Sequence, residues 1–94
     1  MNLKYTKNGT EDLENAFLWY QRQRNGLGFA FLECVEAASN GILLFPEMYE
    51  KVYGNFRRCL IRRFPFSIFY TVEQSEIIVH AILDNRINPE KWPK

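Results

Sequence analysis

The sequence contains few residues of the types that bind metals, cofactors or disulfide partners. Its two cysteines, Cys34 and Cys59, and its single histidine, His80, have no metal-ligand spacing. Gly26-Leu27-Gly28 lacks the third glycine of a dinucleotide-binding loop, because Phe31 stands in that place. We therefore expect no metal and no cofactor. Both cysteines lie in apolar stretches, where a free thiol commonly serves as a small core residue.

Excess charge and long apolar runs are also scarce. Twelve Lys and Arg against eleven Asp and Glu leave a net charge of +1, so no strong overall field attracts nucleic acid or an anionic membrane. A nucleic-acid role would have to depend on a local basic patch. The polar segment 1–10 lacks a signal peptide's apolar stretch, and the longest run free of polar side chains, 26–32, is far shorter than the roughly 20 residues of a membrane span. These features predict a cytoplasmic protein.

Large apolar side chains, in contrast, are plentiful. Hydrophobic residues make up 47% of the chain and aromatic residues 16%, which excludes a disordered chain and supplies a compact interior. With 94 residues, the chain is expected to form one domain over 1–94.

The periodicity of the first half predicts a strand and two helices. A weak alternation over 2–6 predicts a strand, and Lys7-Asn8-Gly9 predicts a turn. Thr10 is the predicted N-cap of a helix that runs to about residue 24. A second helix is expected from about residue 28 to Asn40-Gly41. The short connection between the two predicts an antiparallel hairpin.

The second half has the pattern of β-structure. Segments 56–63, 66–73 and 77–83 are rich in β-branched and aromatic residues, and their short connections predict neighbouring antiparallel strands. The predicted fold class is therefore α+β, with the order β-α-α-β-β-β. We expect the helix hairpin to pack on one face of a small antiparallel sheet and to leave the other face for function.

Residues along nearly the whole chain have an order and spacing that identify a family. In the first half they are Glu11-Asp12-Leu13, Ala16, Trp19, Tyr20, Gly26-Leu27-Gly28 and Phe31-Leu32. In the second half they are Pro46, Tyr49, Tyr53-Gly54, Arg57-Arg58, Phe64-Pro65-Phe66, Ile68, Tyr70, Ile77, Val79, Ala81, Arg86, Pro89 and Trp92. This joint pattern resembles the RelE/ParE toxins of bacterial type II toxin-antitoxin systems, a plasmid stabilisation family, and implies their fold.

The resemblance also implies a growth-inhibiting toxin that a cognate antitoxin neutralises by wrapping around it. It implies two alternative targets. RelE-type members cleave mRNA on the ribosome with basic residues that stabilise the transition state, whereas ParE-type members inhibit DNA gyrase by protein contact and are not nucleases.

Candidate residues for mRNA cleavage are the arginines of the second half, Arg58, Arg62, Arg63 and Arg86. The even spacing of Arg58 and Arg62 predicts that they share a sheet face. Against cleavage, Ser67 stands where RelE-type enzymes carry a catalytic arginine, and Trp92 stands where they carry a tyrosine. Neither replacement can do the corresponding chemistry. The sequence therefore favours a ParE-like, non-catalytic toxin over the mRNA endonuclease, and a degenerate toxin that only binds its antitoxin is a third possibility.

Leu18 and Trp19 fall outside the apolar stripe of the first helix, and Phe29 lies on the apolar stripe of the second. These three are the candidates for antitoxin binding, with burial as the alternative for Leu18 and Trp19, and Arg86 and Trp92 are the candidates for contact with the target. For Trp92, packing against the sheet is the alternative role. His80 lies in an apolar strand and is expected to be a core or interface residue.

Overall fold

Two helices and a five-stranded sheet make up the protein in a computed structural model that describes residues 1–93. The strands are β1 (Asn2–Tyr5), β2 (Lys51–Tyr53), β3 (Phe56–Leu60), β4 (Phe66–Glu73) and β5 (Glu76–Asp84). The helices are α1 (Lys7–Gln23) and α2 (Leu27–Leu44), and a short 3-10 turn spans Pro89–Lys91.

The strands are arranged in the order β1-β5-β4-β3-β2. β2 to β5 pair antiparallel with their neighbours in this order, but β1 lies parallel to β5, with Leu3 beside Ile77. The α+β class is confirmed, with two differences: the sheet is mixed, and the short β2 adds a strand at one edge. The direction of β1 could not be inferred from a short connection, because both helices lie between it and the other strands.

The first helix begins earlier than predicted. Thr6, not Thr10, is the N-cap, and its hydroxyl accepts a hydrogen bond from the Gly9 amide at 3.0 Å. Residues 7–9 thus form the first helical turn. Gly9 is there for close packing, since a Cβ on it would lie 2.7 Å from the Val79 carbonyl oxygen of β5. From the sequence alone, a glycine required for close packing inside a helix cannot be distinguished from a glycine in a turn.

The second helix extends past the predicted end at Asn40-Gly41 to Leu44. Gly41 lies inside the helix, and a Cβ there would be 2.7 Å from the Tyr49 hydroxyl. By length and composition alone, Leu27–Leu44 could cross a membrane. Core helices of soluble proteins meet the same criterion, and α2 places Phe31 and Val35 in the core. The helix therefore gives no indication of a membrane protein.

The core lies between the helix hairpin and one face of the sheet. Burial of each large apolar side chain contributes about 1.5 to 3 kcal/mol. Four rings, from Tyr20, Phe31, Phe64 and Phe66, pack with centroids between 4.8 and 5.9 Å apart. The aliphatic part of this core includes Val35, Ile42, Ile68, Ile77, Val79 and Ile82.

A β-bulge interrupts the pairing of β4 with β5. Phe69 pairs with Ala81 and Tyr70 with Val79, so His80 has no opposite residue. The bulge is held from α1 and its N-cap: the Thr6 hydroxyl donates to the His80 carbonyl at 3.3 Å, and the Asp12 carboxylate accepts from the Ile82 amide at 3.1 Å. Burial raises the pKa of Asp12, and this backbone hydrogen bond partly offsets the rise.

Candidate functional site

The sheet face turned away from the helices, which we call the outer face, carries Arg58 and is partly covered by Trp92. Alternation along β3 and β4 places Cys59, Ile68 and Tyr70 in the core. It turns Arg58 and Ser67 to the outer face. Ser67 is nevertheless fully buried, because the chain after β5 covers this part of the outer face.

Arg58 is the centre of a hydrogen-bonded cluster on the outer face. Its Nε donates to the Ser67 hydroxyl at 3.1 Å, and its Nη2 donates to Asn85 Oδ1 at 3.2 Å. The Ser67 hydroxyl also donates to Asn85 Oδ1. The guanidinium carbon lies 5.6 Å from the ring centroid of Trp92, a cation–π arrangement. The guanidinium group of Arg58 is therefore held by contacts within the protein.

Trp92 anchors the C-terminal segment to the outer face. Its ring lies 5.0 Å from that of Phe69 and 6.4 Å from that of Tyr53, measured between centroids. Just before it, the Asn88 side chain caps the 3-10 turn by accepting from the Glu90 amide at 3.0 Å. Trp92 is thus half-buried and packs against the sheet, while part of its surface stays accessible to a partner.

Arg62 and Arg63 are not part of the Arg58 cluster. β3 ends at Leu60, so Arg62 leaves the sheet and, with Arg63, lines a groove beside α2. The prediction that Arg58 and Arg62 share a sheet face is therefore wrong. Even spacing places residues on one face only while the strand continues. Arg63 has a left-handed φ of 72°, and its guanidinium carbon lies 5.6 Å from the Phe64 ring.

Arg86 pairs with a carboxylate two residues earlier. Its Nη2 lies 2.6 Å from Asp84 Oδ2, and its Nε donates to Asp84 Oδ1 at 2.9 Å. These hydrogen bonds lower the pKa of Asp84 to about 2. The Arg86 side chain is 82% exposed, so it remains open to contact with a partner.

His80 belongs to a second polar cluster of the outer face. Its Nε2 lies 2.9 Å from the Thr71 hydroxyl and 3.9 Å from Glu73 Oε2, and its ring packs edge-on against Phe56 at 5.0 Å. Burial lowers the pKa of His80, and the Glu73 carboxylate opposes this effect. The residue is partly buried, in keeping with the core or interface position expected for it.

The predicted antitoxin-contact residues lie on the helix hairpin near its turn. Leu18 and Trp19 are in the last two turns of α1, and Phe29 is in the first turn of α2. They are 45%, 54% and 58% exposed, respectively. Phe29 packs edge-on against Phe17 at 5.1 Å. All three side chains thus present apolar surface to solvent.

A groove of about 730 Å³ between α2 and the end of β3 was not predicted from the sequence. Cys34 and Ala38 line one wall, and Tyr49, Cys59 and Leu60 contribute to the rest. The thiols are free, with Cys34 half-buried and Cys59 buried. Small residues at 34, 37, 38 and 41, spaced to form one helix face, are the sequence signal that could have indicated a shallow wall here.

Over residues 1–93 no three His, Cys, Asp or Glu side chains form a group that could hold a metal ion.

Comparisons with known proteins agree with this fold. Residues 3–89 match the family described as the ParE toxin of the type II toxin-antitoxin system parDE. A solved structure described as the chromosomal ParDE TA system from P. aeruginosa has a TM-score of 0.67 and 20% sequence identity, and the match covers 89% of this chain and 95% of that one. At this identity the likeness concerns the fold alone. A comparison with curated proteins finds no match. Since the family match spans nearly the whole chain, the protein belongs to the ParE toxin family of type II toxin-antitoxin systems.

Proposed function

We propose that this toxin inhibits DNA gyrase by protein contact, without catalysis, and is neutralised by a cognate antitoxin. The observation that supports the non-catalytic mechanism is the state of Arg58. An mRNA endonuclease needs cations aimed at the scissile phosphate. Arg58 instead donates to Ser67 and Asn85 and lies over Trp92.

The distribution of the remaining arginines supports the same mechanism. Arg62 and Arg63 lie beside the α2 groove, and Arg86 is paired with Asp84. A ribosome-binding nuclease would also gain affinity from a strongly basic surface, whereas this chain has a net charge of +1. An inhibitor that works by protein contact needs no such excess of positive charge.

The target can be determined by inducing the protein in cells without an antitoxin and following DNA supercoiling, DNA breaks and mRNA integrity together. We expect gyrase-linked DNA damage while mRNA stays intact. Cleavage of translated mRNA would overturn the proposal in favour of a ribosome-dependent endonuclease. Absence of both effects, with a folded protein, would indicate a degenerate toxin that only binds its antitoxin.

Single arginine variants sharpen this test. Arg62→Ala and Arg63→Ala change exposed side chains, so we expect folded proteins that still block gyrase in a purified supercoiling assay. Arg86→Ala and Trp92→Ala address the predicted target contacts. We expect both to weaken inhibition, with circular dichroism and thermal melting as checks that the fold persists. If Trp92→Ala is folded and inhibits fully, the C-terminal segment does not contact the target.

The antitoxin is proposed to bind at the exposed apolar residues of the helix hairpin. Burial of Trp19 by a partner helix or strand would remove a large apolar area from water. We expect Trp19→Ala and Phe29→Ala to weaken binding of the antitoxin encoded beside this gene by about tenfold or more each. Leu44→Ala is a matched control, because Leu44 is exposed at the other end of α2. Unchanged affinity in both hairpin variants would contradict this location.

A further inference from the structure

The chain contains the dipeptide Asn-Gly three times, at Asn8-Gly9, Asn25-Gly26 and Asn40-Gly41. This dipeptide favours deamidation, because glycine has no side chain to shield its amide nitrogen from the carbonyl carbon of the preceding asparagine side chain. The reaction also needs a backbone that can bring these two atoms together. The local structure of each pair therefore decides how readily it reacts.

Two of the three pairs lie inside helices. Asn8 and Gly9 belong to the first turn of α1, where Gly9 is buried and its amide donates to the Thr6 hydroxyl at 3.0 Å. Asn40 and Gly41 lie within α2. Attack at either pair requires the helix to open locally, which costs free energy.

The third pair lies in the exposed turn between the helices. Since α1 ends at Gln23 and α2 begins at Leu27, neither Asn25 nor Gly26 is part of a helix. Both residues of the pair are exposed. Gly26 has a left-handed φ of 93°, a conformation that favours glycine. The turn itself thus requires the glycine that makes the pair reactive.

The Gln21 side chain restrains this pair. Its Nε2 donates to Asn25 Oδ1 at 2.8 Å, and its Oε1 accepts from the Gly26 amide at 3.2 Å. The first hydrogen bond fixes the asparagine side chain, and the second occupies the nitrogen that would attack it. Both must break before Asn25 can react.

We propose that Asn25 is the site at which this protein deamidates and that Gln21 controls the rate. The Gly26 amide nitrogen attacks Cγ of Asn25 and closes a succinimide ring. The Cγ–Nδ2 bond breaks, and the ammonia that leaves carries away the proton lost by the Gly26 amide. Water then opens the ring. Its attack at Cγ gives aspartate, whereas its attack at the backbone carbonyl carbon of Asn25 gives isoaspartate, which lengthens the main chain by one carbon.

Either product changes the turn that joins the two helices. Both add a negative charge to the hairpin that carries Leu18, Trp19 and Phe29, and isoaspartate also alters the length of the turn. The effect on antitoxin binding rests on the surface proposed above. The reaction at Asn25 does not, so chemical analysis of the protein alone tests it.

Ageing the purified protein at mildly alkaline pH tests the assignment, with peptide mapping by mass spectrometry to locate each amide that becomes a carboxyl group. We expect Asn25 to be converted at least about tenfold faster than Asn8 or Asn40, since those two require helix opening. Conversion of Asn25 that is no faster than that of Asn8 or Asn40 would overturn the proposal.

Two variants separate the role of Gln21 from a general loosening of the fold. Gln21→Ala removes both hydrogen bonds to the pair, so we expect conversion of Asn25 to accelerate at least about fivefold. Asn8 and Asn40 should keep their rates. Gln23→Ala, at an exposed position of the same helix, is the matched control and should change nothing. An unchanged rate at Asn25 in Gln21→Ala, or equal acceleration at all three asparagines, would refute the role of Gln21.

Discussion

The Nε of Arg58 donates a hydrogen bond across β3 and β4 to the hydroxyl of Ser67, 3.1 Å away. Ser67 stands where the resemblance to RelE-type enzymes would place a catalytic arginine. In this protein position 67 is fully buried, so a small hydroxyl fits there and an arginine would not. The same packing arrangement therefore excludes a basic side chain at position 67 and holds the Arg58 side chain in a hydrogen bond.

This arrangement predicts coupled losses of stability. Ser67→Ala should lower the free energy of unfolding by about 1 kcal/mol, because Arg58 and Asn85 lose a hydrogen-bond partner. Arg58→Ala should cost about 2 kcal/mol, since packing against Trp92 is lost as well. Urea denaturation of both variants and of the double variant measures the coupling, which we expect to exceed about 0.5 kcal/mol. Strict additivity would mean that the hydrogen bond contributes nothing.

Close packing between the helices depends on Gly28. A Cβ at this position would lie 2.7 Å from the Phe17 carbonyl oxygen and 2.9 Å from the Gln21 side-chain oxygen, which itself accepts from the Gly28 amide. Gly28→Ala should therefore destabilise the protein by about 1 to 3 kcal/mol, despite the higher helix propensity of alanine. Glu36→Ala, at an exposed position of α2, is the control and should have little effect. If Gly28→Ala stabilised the protein, the two helices could move apart at this position without a loss of folding free energy.

The pairing of Asp84 with Arg86 should be visible in a carboxyl titration. The ordinary pKa of an aspartate is 3.8, and hydrogen bonds from Arg86 lower the pKa of Asp84 to about 2. The pair therefore stabilises the folded state above pH 3.8, and this contribution is lost as the pH falls from there to about 2. Carbon-detected NMR should find the low value in the native protein and a pKa closer to 3.8 in Arg86→Ala. An unchanged titration in the variant would assign the shift to another cause.

The contribution of His80 to stability is also lost as the pH falls, but at higher pH than that of Asp84. Burial lowers its pKa below the ordinary value of 6.5, so the unfolded chain binds this proton more readily than the folded protein. Stability should consequently fall as the pH drops through and below 6.5. His80→Gln should show a smaller decrease over that range in denaturant unfolding. Equal slopes for the native protein and the variant would mean that His80 has the same pKa in both states.

The sequence by itself determined the fold class, the family and the element order apart from the short edge strand β2. Helical spacing through Leu13, Ala16 and Tyr20 and the β-rich segments after residue 55 reflect which side chains must be buried, and burial is a property that local patterns record. Leu18 and Trp19 were identified in the same way, as side chains outside the core stripe of the first helix, whereas Phe29 lay on the apolar stripe of the second helix and is nevertheless exposed.

The tertiary structure alone decided where the site residues meet. Arg58, Ser67 and Asn85 come from three separate segments, and only the register of β3, β4 and the following chain brings them into hydrogen-bond contact. The end of β3 at Leu60 separated Arg62 from Arg58, and close packing against Val79, not a turn, accounts for the glycine at position 9. The ring contact between Tyr53 and Trp92 likewise joins residues distant in the chain. Such contacts depend on strand order, strand ends and close approach, which no periodicity in the sequence encodes.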